Sequence, residues 1–448
     1  MKRFVFDNLV YKLNEESFAI MNLISFRRET ITKDALDKLI LIEGRLDAGK
    51  DLSGEEESFL EQFHEKKQIL PPEIMEEVDR QLEKESELHL SKFPVRGVTF
   101  NITHNCNFRC DYCYQRKYKD KPEYGLNMSV EDIVSFMEYL KLPYFDDTGF
   151  EEIVVSGGES LLPSNIDVIN YICKHVPAEK KVLFTNGINI LQYKDKVLFE
   201  AFDEVQLSLD GPDAVIRQVN HCGEAFNKII DGIRYLQQMN KRIRIVTMWT
   251  KELRSHITEY IELLKESRIL EHPGTTIKFV LARDYYTKSS IDRAFYTWDE
   301  IVADLKRYRP LFREINSYLE ISPEIGRLGE LLHRPVNERR NLKYNVCDIT
   351  KSIPMVLEPN GDIYWCLCLD GEAGKIGNYR DKSFDWDKVE KMGSRTIYKV
   401  EQCRQCRLRY LCGGGCILPL TSGGGEVYQP VCEPWNDPFV WENLEKIV

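Results

Sequence analysis

Residues 97–114 read GVTFNITHNCNFRCDYCY. The run GVTFNIT is short and β-rich, and directly after it Cys106, Cys110 and Cys113 fall in a CxxxCxxC pattern within eight residues. Five further runs of the same kind follow: EEIVVS, KKVLFT, EVQLSL, RIRIVTM and TTIKFVLA. Between them apolar residues recur at the helical period, with Ile133, Phe136, Met137 and Leu140 on one face and Ile257, Ile261 and Leu264 on another. Ser129 followed by Asp132 predicts a capping box at the start of the first helix. Six strand–helix units between Val95 and about Asn316 predict an α/β fold whose parallel sheet is open or curved into a partial (β/α)6 TIM-like barrel. In both arrangements chemistry sits at the carboxyl ends of the strands, which is where the three thiols fall.

A chain of 448 residues with 43% hydrophobic content is long enough for two to four domains and a sizeable buried core. Its start has no long apolar run, and no uncharged stretch approaches the roughly 20 residues a membrane helix needs. A soluble, cytoplasmic protein with no membrane partner is expected. Lysine and arginine total 61 against 72 acidic residues, and the net charge of -11 repels a phosphate backbone, which disfavours nucleic acid as a partner. In a reducing compartment clustered cysteines are better read as metal ligands or reactive groups than as disulfides. Cys173 and Cys222 stand apart and are read as small packing residues.

The first ninety or so residues hold three strand-like runs, FVFDN, LVYKLNE and SFAIMNLIS. Charged helical stretches follow, including SGEEESFLEQFHEKK and EIMEEVDRQLEKESELHL, with Pro71 and Pro72 between them. This β-then-α module, residues 1–92, has winged-helix proportions. The acidic composition argues against DNA, and a peptide docking onto an exposed strand edge is physically easier. Beyond Asn316 the alternation stops: a helical connector, EIGRLGELLHRPVNERRN within residues 317–346, leads to residues 347–448, which hold eight of the thirteen cysteines.

Three thiolates at one strand end suit two metals differently. Structural zinc almost always takes four protein ligands, whereas a [4Fe-4S] cluster held by three leaves one iron open to a cofactor. Tyr112, between the last two cysteines, is placed either to stack on a planar group or to pack. CxxxCxxC with an aromatic before the third cysteine, after the first strand of a βα series, resembles the signature of the radical S-adenosylmethionine superfamily. The resemblance implies that Cys106, Cys110 and Cys113 hold a [4Fe-4S] cluster and that S-adenosyl-L-methionine chelates its fourth iron. An electron from a flavodoxin- or ferredoxin-type donor then cleaves the sulfonium to a 5'-deoxyadenosyl radical.

Later strand ends extend the resemblance. EEIVVS runs into Ser156-Gly157-Gly158-Glu159, similar to the family's GGE motif, where bare backbone approaches the methionyl end of the cofactor and Glu159 hydrogen-bonds or braces the loop. KKVLFT ends at Asn186-Gly187, and EVQLSL runs through Ser208, Leu209, Asp210, Gly211 and Pro212. The implied cofactor-binding residues are Tyr112, Gly157, Gly158, Glu159, Asn186, Ser208 and Asp210. One departure stands out: where relatives continue SLDGP into a His-Asp pair and an arginine, this chain reads DAVIRQVNHCG, with Arg217 out of register.

In the tail Cys347, Cys366, Cys403, Cys406, Cys412, Cys416 and Cys432 are too many thiols for one zinc and suit two metal centres, two zinc ribbons being the plain alternative. The arrangement resembles the SPASM extension of radical S-adenosylmethionine enzymes, which binds two auxiliary [4Fe-4S] clusters and would bring the total to three. Carried over, the pattern assigns Cys403, Cys406, Cys412 and Cys432 to an outer cluster and Cys347, Cys366 and Cys416 to an inner one. The inner cluster is one cysteine short. Either Cys368 completes it, or an iron stays open for a substrate thiolate.

The N-terminal module is similar to the recognition element of RiPP maturases, which grips the leader of a precursor peptide as an added strand. The combined resemblance implies a peptide maturase that installs intramolecular thioether crosslinks, of the sactipeptide or ranthipeptide kind. Carbon-carbon crosslinking is the nearest alternative. Anaerobic sulfatase maturation is weaker, because those enzymes place an aspartate where this chain has Leu367 after Cys366. A zinc-bearing scaffold is the alternative from another class. No catalytic base is identified.

Overall fold

The computed structural model describes residues 8–22, 24–25, 27–87, 92–113, 115, 125–146, 149–281, 298–317, 319–320, 342, 344–345, 354–367, 371–406, 409–417, 420, 426–430 and 432. The connector EIGRLGELLHRPVNERRN lies outside them, as do Cys347 and Cys368.

In the N-terminal module β1 (Asn8–Lys12), β2 (Ser17–Asn22) and β3 (Arg28–Thr32) form an antiparallel sheet with β2 in the middle. LVYKLNE and SFAIMNLIS supply β1 and β2, and RETIT, which the sequence does not single out, supplies β3; FVFDN lies outside the described residues except for Asn8, which opens β1. RETIT gives a weak sequence signal because only its Ile31 is buried; the neighbours are polar and line a sheet edge. The pleat of β2 serves two cores. Ile20 packs with Ile31, Leu36, Leu39, Leu60 and Phe63, whereas Ala19 and Met21 on its other face join the main core.

Three helices complete the module: α1 (Lys33–Asp47), α2 (Gly54–Glu65) and α3 (Pro72–Ser86). Ser53 and Glu56 form a capping box on α2, and Pro72 opens α3 where a missing N–H costs nothing. α3 then leans on the C-terminal cysteine segment. Met75, Val78 and Leu82 pack against a cluster of Tyr344, Ile397, Tyr398, Val400 and Tyr410. Asp79 accepts hydrogen bonds from Tyr398 Oη (3.2 Å), Tyr410 Oη and Arg409 Nη2 (3.0 Å), and Glu83 pairs with Arg404 at 2.9 Å.

The main sheet contains all six expected strands: β4 (Gly97–Asn101), β5 (Glu152–Ser156), β6 (Lys180–Thr185), β7 (Glu204–Ser208), β8 (Arg242–Trp249) and β9 (Thr275–Leu281), paired in parallel in chain order. Between them run α4 (Val130–Tyr139), α5 (Ile166–His175), the one-turn α6 (Asp213–Val215), α7 (Phe226–Gln238) and α8 (Lys251–Ser267), with α9 (Trp298–Glu314) after β9. The Ser129–Asp132 capping box on α4 is present. Between β6 and β7 short turns at Leu191–Tyr193 and Phe199–Ala201 take the place of a helix.

Parallel pairing does not stop at Asn316. β10 (Leu319–Glu320) adds to β9, and β11 (Pro354–Leu357) adds in parallel to the free side of β4, Pro354 opposite Gly97 and Leu357 opposite Phe100. The antiparallel strands β12 (Asp362–Tyr364), β13 (Lys375–Asn378) and β14 (Ser383–Phe384) continue outward from β11. A long-range pairing of this kind leaves no trace in local periodicity, which is why the sequence suggests a break there. The hairpin is keyed to α4: Arg380 pairs with Asp132 at 2.7 Å, Tyr139 Oη donates to Ser383 O at 2.9 Å, and Phe93, Phe145 and Phe384 stack edge to face. Among the described residues no helix is long and apolar enough to cross a membrane.

Candidate active site

The cysteine loop leaves β4 and is held on two sides by the ends of other strands. On one side Gly158 N donates to Thr103 O (2.7 Å) and Glu159 N to Asn105 O (2.8 Å). A Cβ on Gly157 would stand 2.5 Å from Thr103 O, and one on Gly158 would stand 2.3 Å from Asn105 O. Residues 103–105 thus leave no room for a side chain at either glycine. On the other side Arg109 N donates to Asn220 O (3.0 Å) and Asp111 N to Val219 O (3.0 Å). Asn220 ends a π-helical turn, Ile216–Asn220, that follows the SLDGP strand end. Such turns concentrate at functional sites.

Glu159, 1% exposed, is the brace. Its carboxylate accepts from Thr185 Oγ1 (2.6 Å), Asn186 N (2.7 Å) and Leu161 N (2.7 Å), joining the ends of β5 and β6. Burial pushes its carboxyl above the usual range and these three donors pull it back. Asn186 reaches further, its Nδ2 donating to Asn107 Oδ1 at 2.7 Å inside the cysteine loop. At the end of β7 lies half-buried Ser208, and beyond it the buried Asp210 accepts from Met248 N (2.9 Å), Asn220 Nδ2 (2.7 Å) and the Tyr112 hydroxyl. Tyr112 is thus oriented by Asp210, with its ring partly buried against the main core.

Each of the first two thiols has an N–H aimed at it. Phe108 N donates to Cys106 Sγ (3.3 Å) and Asn220 Nδ2 to Cys110 Sγ (3.0 Å). Burial, with the fields of Glu159 and Cys113 behind it, pushes the Cys106 thiol up to about 12; burial, then Asp210 and Cys113, pushes Cys110 up as well. Three thiols within one another's fields, with N–H donors on the sulfurs, fit a cluster that is anionic when bound. Asn220 Oδ1 is buried without a hydrogen-bond partner among the described residues, an acceptor in keeping with a polar group bound beside it. Among the described residues no three His, Cys, Asp or Glu side chains gather closely enough to hold one metal ion.

Two features escape a reading of the sequence. Asn220 is one, because a π-turn has no propensity signature and the family pattern directs attention to an arginine at this place. The other is a buried polar network beneath the loop. Glu358, just past β11, accepts from Asn101 Nδ2 (2.9 Å) and meets His104 Nε2 at 2.9 Å; His104 Nδ1 is 2.8 Å from Gln115 Oε1, and Gln115 donates to Asn101 Oδ1 (3.3 Å). Residues far apart in sequence thus tie the start of the cysteine loop to the C-terminal hairpin.

That hairpin turns at Gly361, whose φ of 93° and tight contact with Asn378 explain a glycine there, and delivers half-buried Cys366 after β12. Cys403, Cys406, Cys412, Cys416 and Cys432 follow on short helices and loops. Burial pushes the Cys403 thiol up to about 11, with Cys406 and Cys432 adding to it, so these three share a field. Arg217 lies on the same π-turn, on which Val219 O and Asn220 O accept hydrogen bonds from the cysteine loop and Asn220 Nδ2 donates to Cys110 Sγ.

The family description Radical SAM superfamily matches residues 100–264. Among curated proteins, the GTP 3',8-cyclase of Staphylococcus aureus (strain bovine RF122) is 23% identical over 180 residues, which is 39% of this chain and 52% of that protein. The GTP 3',8-cyclase of Nautilia profundicola is 24% identical over 184 residues, covering 41% of this chain and 55% of its own. The chain thus spans about half the length of the curated relatives it matches. Among solved structures, anSMEcpe with bound AdoMet superposes with a TM-score of 0.54 at 18% identity, covering 79% of this chain and 94% of its own. Streptococcus suis SuiB bound to the precursor peptide SuiA gives a TM-score of 0.52 at 16% identity, covering 96% of this chain and 99% of its own. At these identities the likeness is one of fold.

Proposed function

We propose, on the premise that residues 100–264 form a radical SAM domain, that this protein is a maturase that joins a cysteine sulfur to a carbon within one ribosomally made precursor peptide. The observation that carries this reading is the N-terminal sheet: β3 pairs with β2 alone among the described strands, and its module is docked through α3 onto the C-terminal cysteine segment. An open strand edge fixed to the body of an enzyme suits a leader added as a further strand. The fold likeness to SuiB, a structure bound to a precursor peptide, covers 96% of this chain and so leaves too little outside it to omit this module. Cyclisation of GTP, the activity named for the curated relatives, has weaker support, since those matches span 39–41% of this chain.

We assign residues 1–92 to leader recognition, 93–316 to the barrel, 317–346 to a connector and 347–448 to a SPASM domain. Cys106, Cys110 and Cys113 would hold the reducing [4Fe-4S] cluster, Cys403, Cys406, Cys412 and Cys432 the outer auxiliary one, and Cys347, Cys366 and Cys416 the inner one. When bound, the reducing cluster and S-adenosylmethionine supply a 5'-deoxyadenosyl radical that takes hydrogen from a peptide carbon. The chain's own residues orient this chemistry. Glu159 and Asn186 fix the loop against β5 and β6, Asp210 and Asn220 hold Tyr112 and Cys110, and the Glu358 network sets the hairpin that carries Cys366.

Leu367, partly buried against the core after Cys366, weakens a sulfatase-maturating reading, which wants a carboxylate there. The test is mass spectrometry of a cysteine-bearing short peptide encoded beside the gene, incubated with enzyme, reductant and S-adenosylmethionine. Each thioether removes a pair of hydrogens and one alkylatable thiol. Hydrogen loss with every thiol still alkylatable would replace the thioether by a carbon-carbon bond.

A further inference from the structure

Arg395 is 2% exposed, and its guanidinium donates to four main-chain carbonyls. Two belong to the loop between Cys412 and Cys416, Gly414 O (2.6 Å) and Gly415 O (3.0 Å). The other two, Val427 O (2.7 Å) and Gln429 O (2.9 Å), lie on the segment that leads to Cys432. A buried cation is costly unless its donors are met, and a planar five-donor fork is what can meet carbonyls from two loops at once.

The loop is built to receive it. Gly413, Gly414 and Gly415 have φ of 66°, 90° and 76°, three successive left-handed residues that only glycine adopts without strain. A Cβ on Gly414 would stand 3.2 Å from Arg395 Nη1. The arginine's own neighbourhood is anchored too: Ser394 Oγ lies 2.9 Å from Tyr428 Oη, and Ile397 N donates to Tyr344 O at 2.8 Å, close to Cys347 in sequence. The positive charge also reaches Cys403, where it works against burial and the field of Cys406.

We infer that Arg395 is the positioning residue of the outer auxiliary site, its fork holding the Cys412 loop and the approach to Cys432 against Cys403 and Cys406 while its charge stays beside the anionic cluster. The inference rests on the proposed assignment of those four cysteines to an iron-sulfur cluster. Two separable effects follow. Geometry governs whether the cluster is retained, and charge governs its reduction potential, since a nearby buried cation favours the reduced, more negative form.

The test compares Arg395→Met, Arg395→Lys, Gly414→Ala and Cys432→Ala with the full-length parent, all purified anaerobically, by iron content and by a redox titration followed by electron paramagnetic resonance. With three clusters the parent carries about twelve irons. Arg395→Met should fall to about eight, as Cys432→Ala does, while still unfolding cooperatively on heating. Gly414→Ala should lose iron in the same range with the arginine intact. Arg395→Lys should hold more iron than Arg395→Met, and its outer cluster should keep a potential nearer the parent's. If Arg395→Met does not fold, Gly414→Ala decides: full iron content there overturns the positioning role. Arg395→Met with about twelve irons and an unshifted potential overturns the inference and leaves the cluster assignment standing. A parent with about four irons overturns the assignment and the inference together.

Discussion

After β4 the thiols ride on a loop whose main chain is hydrogen-bonded to the ends of two other regions, Gly158 and Glu159 on one side and Val219 and Asn220 on the other. Beyond Cys366, Cys403 and Cys412 sit on helices of four residues and Cys416 follows a triple-glycine loop, and what gathers these segments is side chains reaching to carbonyls and to α3. Sheet geometry thus fixes the first site, because every strand end of a parallel sheet must fall at the same edge. The second site has no such frame. Its precision depends on a few long side chains, so single substitutions should act there by loosening the site, whereas in the barrel they should act by removing a ligand or unpairing a buried group.

The largest effect expected is at the first site. Cys106→Ala should reduce formation of 5'-deoxyadenosine from S-adenosylmethionine under strong reductant to background, read by chromatography; cleavage at the parent rate would remove Cys106 from the ligand set. Next is Glu159→Ala, which leaves two buried main-chain N–H groups and a hydroxyl without their acceptor. At about 1–3 kcal/mol for each unsatisfied group, denaturant titration should show a loss of several kcal/mol, and Glu159→Gln should recover part of it. A loss under about 1 kcal/mol would mean that the strand ends hold the loop without the brace.

Asn220→Ala removes the donor on Cys110 Sγ and one partner of Asp210. Outer-shell changes of this sort typically cost about 10–100-fold in metal affinity, so iron should leave the site after β4 faster under a chelator, while iron at the proposed auxiliary sites should leave at the parent's rate. Equal loss from all sites would show that the two regions are not independently held. The smallest effect is at α3: Asp79→Ala should cost about 1–3 kcal/mol, mainly from removing the carboxylate that accepts from Arg409 and two tyrosine hydroxyls. Limited proteolysis should then cut more readily in the stretch joining α3 to β4. Unchanged cleavage would assign the docking to the apolar contacts of Met75, Val78 and Leu82 alone.

The six barrel strands, the α4 cap and the crowding of residues at their carboxyl ends were legible because each is a local pattern: apolar period, cap spacing, glycine at a tight approach. What was not legible is non-local. RETIT reads as polar because an edge strand buries one side chain, β11 falls after the strand–helix alternation has stopped although it pairs with β4, and Asn220 sits on a turn with no signature. The glycine pair lies against residues 103–105, a close approach within the chain that its spacing alone does not identify. Arg395 and Asp79 look like ordinary surface charges in sequence, since nothing local tells a buried arginine from a solvated one.

The seam between β4 and β11 also has a consequence in time. Asn101 and Glu358 are 257 positions apart, so during synthesis at about 5–20 residues per second the outer edge of β4 waits many seconds for its partner. Until then the strand that carries the cysteine loop exposes an unpaired edge, the kind of surface on which nascent chains associate wrongly. The sheet is therefore completed late in synthesis, and the yield of folded protein in a cell should depend on translation speed through residues 101–358.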